Sequence, residues 1–142
     1  MRWRVASGIA FTLAVFAAGY WSGSKSPVYA QSPRVFELRV YHTYEGKLDG
    51  LLARFRDHTI EIFNRHGMTS IGYWVPTDEP LKSKTLFYIL AFPSRENAAK
   101  SWAEFNADPE WKKVAAESQA NGKLVEKVDS VFLESADFSP IK

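Results

Sequence analysis

From Pro33 onward the spacing of apolar residues switches between two and about three and a half, and the order of those switches leaves few folds open. Phe36, Leu38 and Val40 alternate with Glu37, Arg39 and Tyr41, the period of a strand with one oily and one chemically mixed face. Glu45-Gly46-Lys47 breaks the strand. The apolar positions then run Leu48, Leu51, Leu52, Phe55, Thr59, Ile62, Phe63 and His66, which predicts an amphipathic helix of about five turns. Gly67 follows as a left-handed cap.

Met68 to Val75 is rich in β-branched and aromatic residues and stops at Pro76, so a second strand is expected there, with Thr77 to Lys84 as a loop. Leu86 to Phe92 is nearly unbroken apolar sequence, as in a central strand covered on both faces. Ser94 is placed to cap a helix that carries Ala98, Trp102 and Phe105 on one side. Asp108-Pro109-Glu110 interrupts that helix and starts another, with Asp as cap and Pro where its missing N–H costs nothing. Asn121-Gly122 ends it, and Leu124 to Leu133 supplies the last strand.

The result is β-α-β-β-α-β, an α+β ferredoxin-like sandwich with its second helix broken at Asp108-Pro109. Two helices cover one face of a four-stranded sheet. The alternation predicts that Phe36, Leu38 and Val40 meet the helices, which sends Arg39, Tyr41, Trp74 and Tyr88 to the other face. Those four are too large and aromatic for an idle solvated surface, so a second copy is expected to cover them and form a homodimer.

The first thirty residues read differently. Met1-Arg2-Trp3-Arg4 is basic, Val5 to Trp21 is mostly apolar and uncharged, and Ser22 to Ala30 is small and polar, the order of a secretory signal. The densest apolar part, Ile9 to Ala18, is ten residues long, against about 20 for a membrane-spanning helix. Val28-Tyr29-Ala30 predicts cleavage after Ala30, giving a signal peptide at 1–30, a single domain at 31–142, and a periplasmic or secreted product. The alternative is an uncleaved anchor over Val5 to Trp21, the one route by which this chain would contact a membrane. With no cysteine, no disulfide or lipid-attachment thiol is available, and apolar burial must hold the fold.

Cleavage would remove Arg2, Arg4 and Lys25 and no acid, so 18 basic and 16 acidic residues become 15 and 16. A net charge near zero provides no field for nucleic acid, which is not an expected partner.

Phe36-Glu37-Leu38-Arg39-Val40-Tyr41, Gly46-Lys47-Leu48, Arg54-Phe55-Arg56-Asp57-His58-Thr59, His66-Gly67 and Ile71-Gly72-Tyr73-Trp74 resemble, in that order, the NIPSNAP family. Phe105-Asn106-Ala107-Asp108-Pro109-Glu110-Trp111 and Asp137-Phe138-Ser139-Pro140 look like its later signatures, so the resemblance spans roughly residues 34 to 140. It implies a dimeric α+β barrel in which two such sheets face each other. The family carries no settled chemistry; its trafficking roles would apply here only if the N-terminal segment stayed attached. Relatives of the barrel architecture include cofactor-free monooxygenases and haem enzymes, which makes an enzyme of the first kind the alternative to a binding or structural homodimer. The second helix contains no His to serve haem, and no cofactor is expected.

Catalytic residues cannot be assigned from spacing: no Ser-His-Asp pattern, phosphate loop or dinucleotide fingerprint is present. His58 and His66 stand eight positions apart on one helix and cannot share a metal, and no Cys adds a ligand, so no metal site is expected. His66 reads as a helix-end residue, and His42 as the histidine most free to titrate. Arg39 and Tyr41 share a strand face with Glu37 and are the expected ligand contacts, with Trp74 and Tyr88 as aromatic walls. A Glu37-Arg39 pair that only satisfies itself is the structural alternative. The mixture suits a small apolar or carbonyl-bearing ligand with a flat body and one oxygen function.

Overall fold

The computed structural model describes residues 34–142; the expected signal at 1–30 lies outside the described residues. Strands β1 (Val35–Thr43), β2 (Thr69–Trp74), β3 (Thr85–Phe92) and β4 (Val125–Glu134) form one sheet in the order β2-β3-β1-β4, antiparallel at every junction. Helices α3 (Arg95–Ala107) and α4 (Pro109–Ser118) are separated by Asp108 alone, which is the expected break. Ser94 Oγ accepts the Asn97 N–H at 3.1 Å, and Asp108 Oδ1 accepts the Glu110 N–H at 2.8 Å, so both predicted caps are made. The strand order and the crossovers are those of the ferredoxin-like sandwich.

The first helix differs from its predicted form. Leu48–Arg54 (α1) and Ile60–Arg65 (α2) are α-helical, but Phe55–Thr59 between them is wound as a π-helix. Thr59 Oγ1 donates to the Arg54 carbonyl at 3.1 Å inside that wider turn. The extra residue in the turn keeps Leu51, Arg54 and Phe55 on the buried side together with Ile62 and Phe63. Gly67, at φ +72°, ends the run in the left-handed region that glycine alone enters without strain.

The core joins Leu51, Phe55, Ile62 and Phe63 of this helical run to Tyr88, Leu90 and Phe92 of β3. Its position corrects the predicted facing of β1. Glu37, Arg39 and Tyr41 point to the helices: Trp102 of α3 donates to Glu37, and Tyr41 packs edge-on against Phe55. Opposed residues on paired strands share a face, so Tyr88, opposite Arg39, and Tyr73, opposite Tyr88, belong to the helix side as well. Phe36, Leu38 and Val40 lie instead on the open side with Phe87, Ile89, Val131 and Leu133. Trp74, opposite Phe87, is on the open side too and is 50% exposed. Its indole lies flat on Gly72, where an added Cβ would come within 2.6 Å of the ring.

The physical reason for the reversal is that β1 is large on both faces. Its charged residues are neutralised by one another and by polar groups of the helix layer, which removes the usual penalty for turning them inward. Its purely apolar face is then the one left for another surface to cover.

Candidate functional site

Between the sheet and the helices, β1 presents a buried polar row. The Glu37 carboxylate, 2% exposed, accepts three hydrogen bonds: Arg39 Nη1 at 2.8 Å and Ser130 Oγ at 2.6 Å to Oε1, and Trp102 Nε1 at 2.6 Å to Oε2. The Arg39 guanidinium also stacks over the Trp102 ring, 4.2 Å from its centroid, and lies 5.6 Å from that of Tyr41. Glu37 is therefore saturated, but Arg39 is not: its Nε is buried with no partner among the described residues. The self-satisfied ion pair accounts for half of the arrangement only.

Tyr88 continues the row on β3. It is completely buried, with its ring 5.2 Å from Tyr41, 5.2 Å from Phe55 and stacked on Tyr73 at 5.7 Å, and its hydroxyl has no hydrogen-bond partner among the described residues. Burial, then the neighbouring Tyr41, pushes the Tyr88 phenol well above its ordinary pKa, so it remains a protonated donor at neutral pH.

The fourth member was not among the expected site residues. Arg54, at the end of α1, is 7% exposed and forms no ion pair among the described residues. Its Nη1 makes a long 3.4 Å bond to Ser118 Oγ, its guanidinium lies 5.1 Å from the Trp111 ring centroid, and its Nε is buried without a partner. Burial opposes the charge on both arginines. Around Arg39 the nearby tyrosines and Glu37 outweigh that penalty and its pKa is raised, whereas Arg54 lacks the carboxylate and its pKa is lowered. A groove of about 280 Å³ between α1, the π-turn and α4 leads from solvent to Arg54, with Gly50, Ala53, Val114 and Ser118 on its walls.

Of the expected ligand contacts, the structure brings Arg39, Tyr41 and Tyr88 together in the helix layer and leaves Trp74 on the opposite face of the sheet. A sheet-to-sheet cavity lined by all four is therefore not what one chain forms. Two histidines lie elsewhere, His66 with Nε2 2.7 Å from Asp108 Oδ2 and His42 with Nε2 2.9 Å from Asp129 Oδ2, whereas His58, on the exposed side of the π-turn, lines the groove to Arg54. His42 thus meets a carboxylate on β4, and His66 meets the cap of α4. No group of three His, Asp or Glu residues among the described residues is placed to hold a metal ion.

Arg54 had a sequence signal. It stands three residues after Leu51, at the edge of the apolar stripe rather than opposite it, and a charged residue there must find a buried partner or a ligand. The π-turn that holds it inside has no comparable signal.

Comparison with known proteins places this geometry in a family. The NIPSNAP family model matches residues 36–140. A solved NIPSNAP family protein with unknown function from Agrobacterium tumefaciens is 26% identical, with 78% of this chain and 96% of that one covered and a TM-score of 0.68. An uncharacterized NIPSNAP-like domain protein from Burkholderia xenovorans is 21% identical, covering 77% and 90% of the two chains, with a TM-score of 0.67. SnoaB, a cofactor-independent oxygenase from Streptomyces nogalater, shares the fold at 12% identity, 76% and 98% coverage and a TM-score of 0.50. No curated protein matches the chain.

Proposed function

Because this chain belongs to the NIPSNAP family, whose model spans nearly all of the described residues, we propose that it works as an exported homodimer that binds a small organic molecule between its sheet and its helices. One observation carries the binding reading: Tyr88 Oη and Arg39 Nε are donors buried in an aromatic layer with nothing to receive them. An unsatisfied buried polar group costs about 1 to 3 kcal/mol, and a ligand oxygen accepting from it would recover that cost. Arg39, Tyr41 and Tyr88 supply the polar contacts, and Phe55, Tyr73 and Trp102 the apolar walls, which suits a flat ligand with one oxygen function.

The homodimer is supported by the open side of the sheet. Trp74 is 50% and Val131 53% exposed there, on the same side as the partly exposed Leu38, Val40, Phe87 and Ile89, and exposed apolar residues grouped on one face mark an interaction surface. Two such faces together would bury roughly 1,200 to 2,000 Å², the range of stable interfaces. Export rests on the basic, apolar and small-polar order of residues 1–30.

A native mass spectrum of the protein purified from its own compartment tests these parts together. The expected spectrum shows a dimer of chains beginning at Gln31 with retained ligand, and a Tyr88→Phe protein that has lost most of it. A ligand retained equally by Tyr88→Phe and Arg39→Met would move the site elsewhere. The enzymatic alternative, a cofactor-free oxygenase, requires more than retention: the ligand would have to be consumed with uptake of O₂.

A further inference from the structure

The charge of the ligand follows from a balance within the helix layer. Glu37 and Arg39 neutralise each other at 2.8 Å. Arg54 is left as a buried cation with a tryptophan face, one long hydroxyl contact and an unpartnered Nε. Guanidinium groups do not release their proton in proteins, so this charge is permanent. Buried charges persist where they are paired, and the pair here is incomplete.

Resting on the binding reading above, we propose that the ligand is a monoanion, a small carboxylate or enolate with a flat apolar body, that enters by the groove between α1 and α4 and sets its oxyanion on Arg54. The donor set fits that class. Arg54 Nε, Arg39 Nε and Tyr88 Oη, buried and unpartnered among the described residues, can each donate, and a planar guanidinium matches two oxygens of a carboxylate. Asp57, His58 and Glu117 also line the groove and are exposed to water, where the two carboxylates disfavour the approach of an anion but form no ion pair with Arg54. The groove volume, about 280 Å³, suits a single-ring acid.

The test uses matched pairs: benzoate, phenylacetate and 3-phenylpropionate against their amides, titrated into the dimer and followed by backbone amide shifts. The acids are expected to bind at least about tenfold more tightly than the amides, a difference of about 1.4 kcal/mol, with shifts centred on Gly50, Ala53, Val114 and Ser118. Arg54→Met should remove the preference, and Arg54→Lys, which keeps the charge but not the fork, should retain part of it. Acids and amides binding equally in the groove of the unaltered protein would overturn the charge assignment while leaving the binding reading intact. So would acids that shift no groove amide, in a protein whose retained ligand still depends on Tyr88. The unaltered protein decides the question even if Arg54→Met fails to fold. Absence of any retained ligand, together with no binding in the groove, would sink both readings.

Discussion

The two faces of strand β1 use opposite solutions to the same problem of burial. Toward the helices, Glu37, Arg39 and Tyr41 are inside because every oxygen of Glu37 is occupied by Arg39, Ser130 or Trp102. Toward the open side, Phe36, Leu38 and Val40 need no partner atoms, only area, and they share that side with Ile89, Val131 and Leu133. The first face is specific and intolerant of change. The second is general, and it is the one suited to meet another copy. Strand β1 has its oily residues on the open side and its polar row against the helices.

The sharpest way to break this contrast is to change adjacent residues that point in opposite directions. Glu37→Leu is expected to destabilise the fold by about 3 to 5 kcal/mol, because it strands the Arg39 charge and the Trp102 and Ser130 donors in the interior. Urea denaturation would measure it. A loss below about 1 kcal/mol would mean that the buried row contributes little to the fold. Leu38→Asp, one residue on, should leave the chain folded by circular dichroism.

Val131→Lys addresses the open side directly. It sets like charges near each other across the proposed two-fold interface, which costs several kcal/mol, and sedimentation should then show folded monomers. A dimer that tolerates Val131→Lys and Leu38→Asp would have to use some other surface.

How far these faces could be read beforehand depends on what each signal measures. Periodicity measures which residues lie together, and it grouped Glu37 with Arg39 and Tyr41 correctly. The element order, the Ser94 and Asp108 caps and the helix stop at Gly67 were legible for the same reason: each depends on residues within a few positions. Which group faces the helices depends on partners 65 and 93 residues away, Trp102 and Ser130, and no local pattern carries that. Trp74 was grouped with Tyr88 by size, yet a one-residue irregularity near Ser70 and Gly72 and the strand register put them on opposite sides. Arg54 was legible only as a charged residue at the margin of the apolar stripe, while the π-turn that follows it has no sequence signal.

Acid should loosen Asp108 in the helix layer and, on the open side opposite Val40, Asp129, whose carboxyl Lys127 and then His42 hold below its ordinary range. Hydrogen bonds from His66, then Arg65, hold the Asp108 carboxyl well below the usual carboxylate range, and the N–H groups of Glu110 and Trp111 add to them. A carboxyl whose pKa is lowered on folding contributes stability above its unfolded value, about 4, and that contribution is lost as the pH falls below it. The melting temperature should therefore drop between about pH 4 and pH 2, and Asp108→Asn, already weakened at neutral pH, should show a flatter dependence. An equal slope in both proteins would remove Asp108 from the account.

The smallest expected effect separates a structural site from a waiting one. Tyr88→Phe deletes one oxygen that has no hydrogen-bond partner and keeps the ring that packs on Tyr41, Phe55 and Tyr73. If the hydroxyl serves only a ligand, its loss should stabilise the ligand-free protein by about 1 kcal/mol, since a desolvated and unsatisfied donor has been removed. At this chain length that is a rise of a few degrees in melting temperature. The same substitution should weaken ligand retention, so stability and binding move in opposite directions, as they do where a site is held in a strained or unsatisfied state. A fall in stability would show that the Tyr88 hydroxyl has a partner in solution, such as an ordered water, and that the helix side is as self-contained as the open side is not.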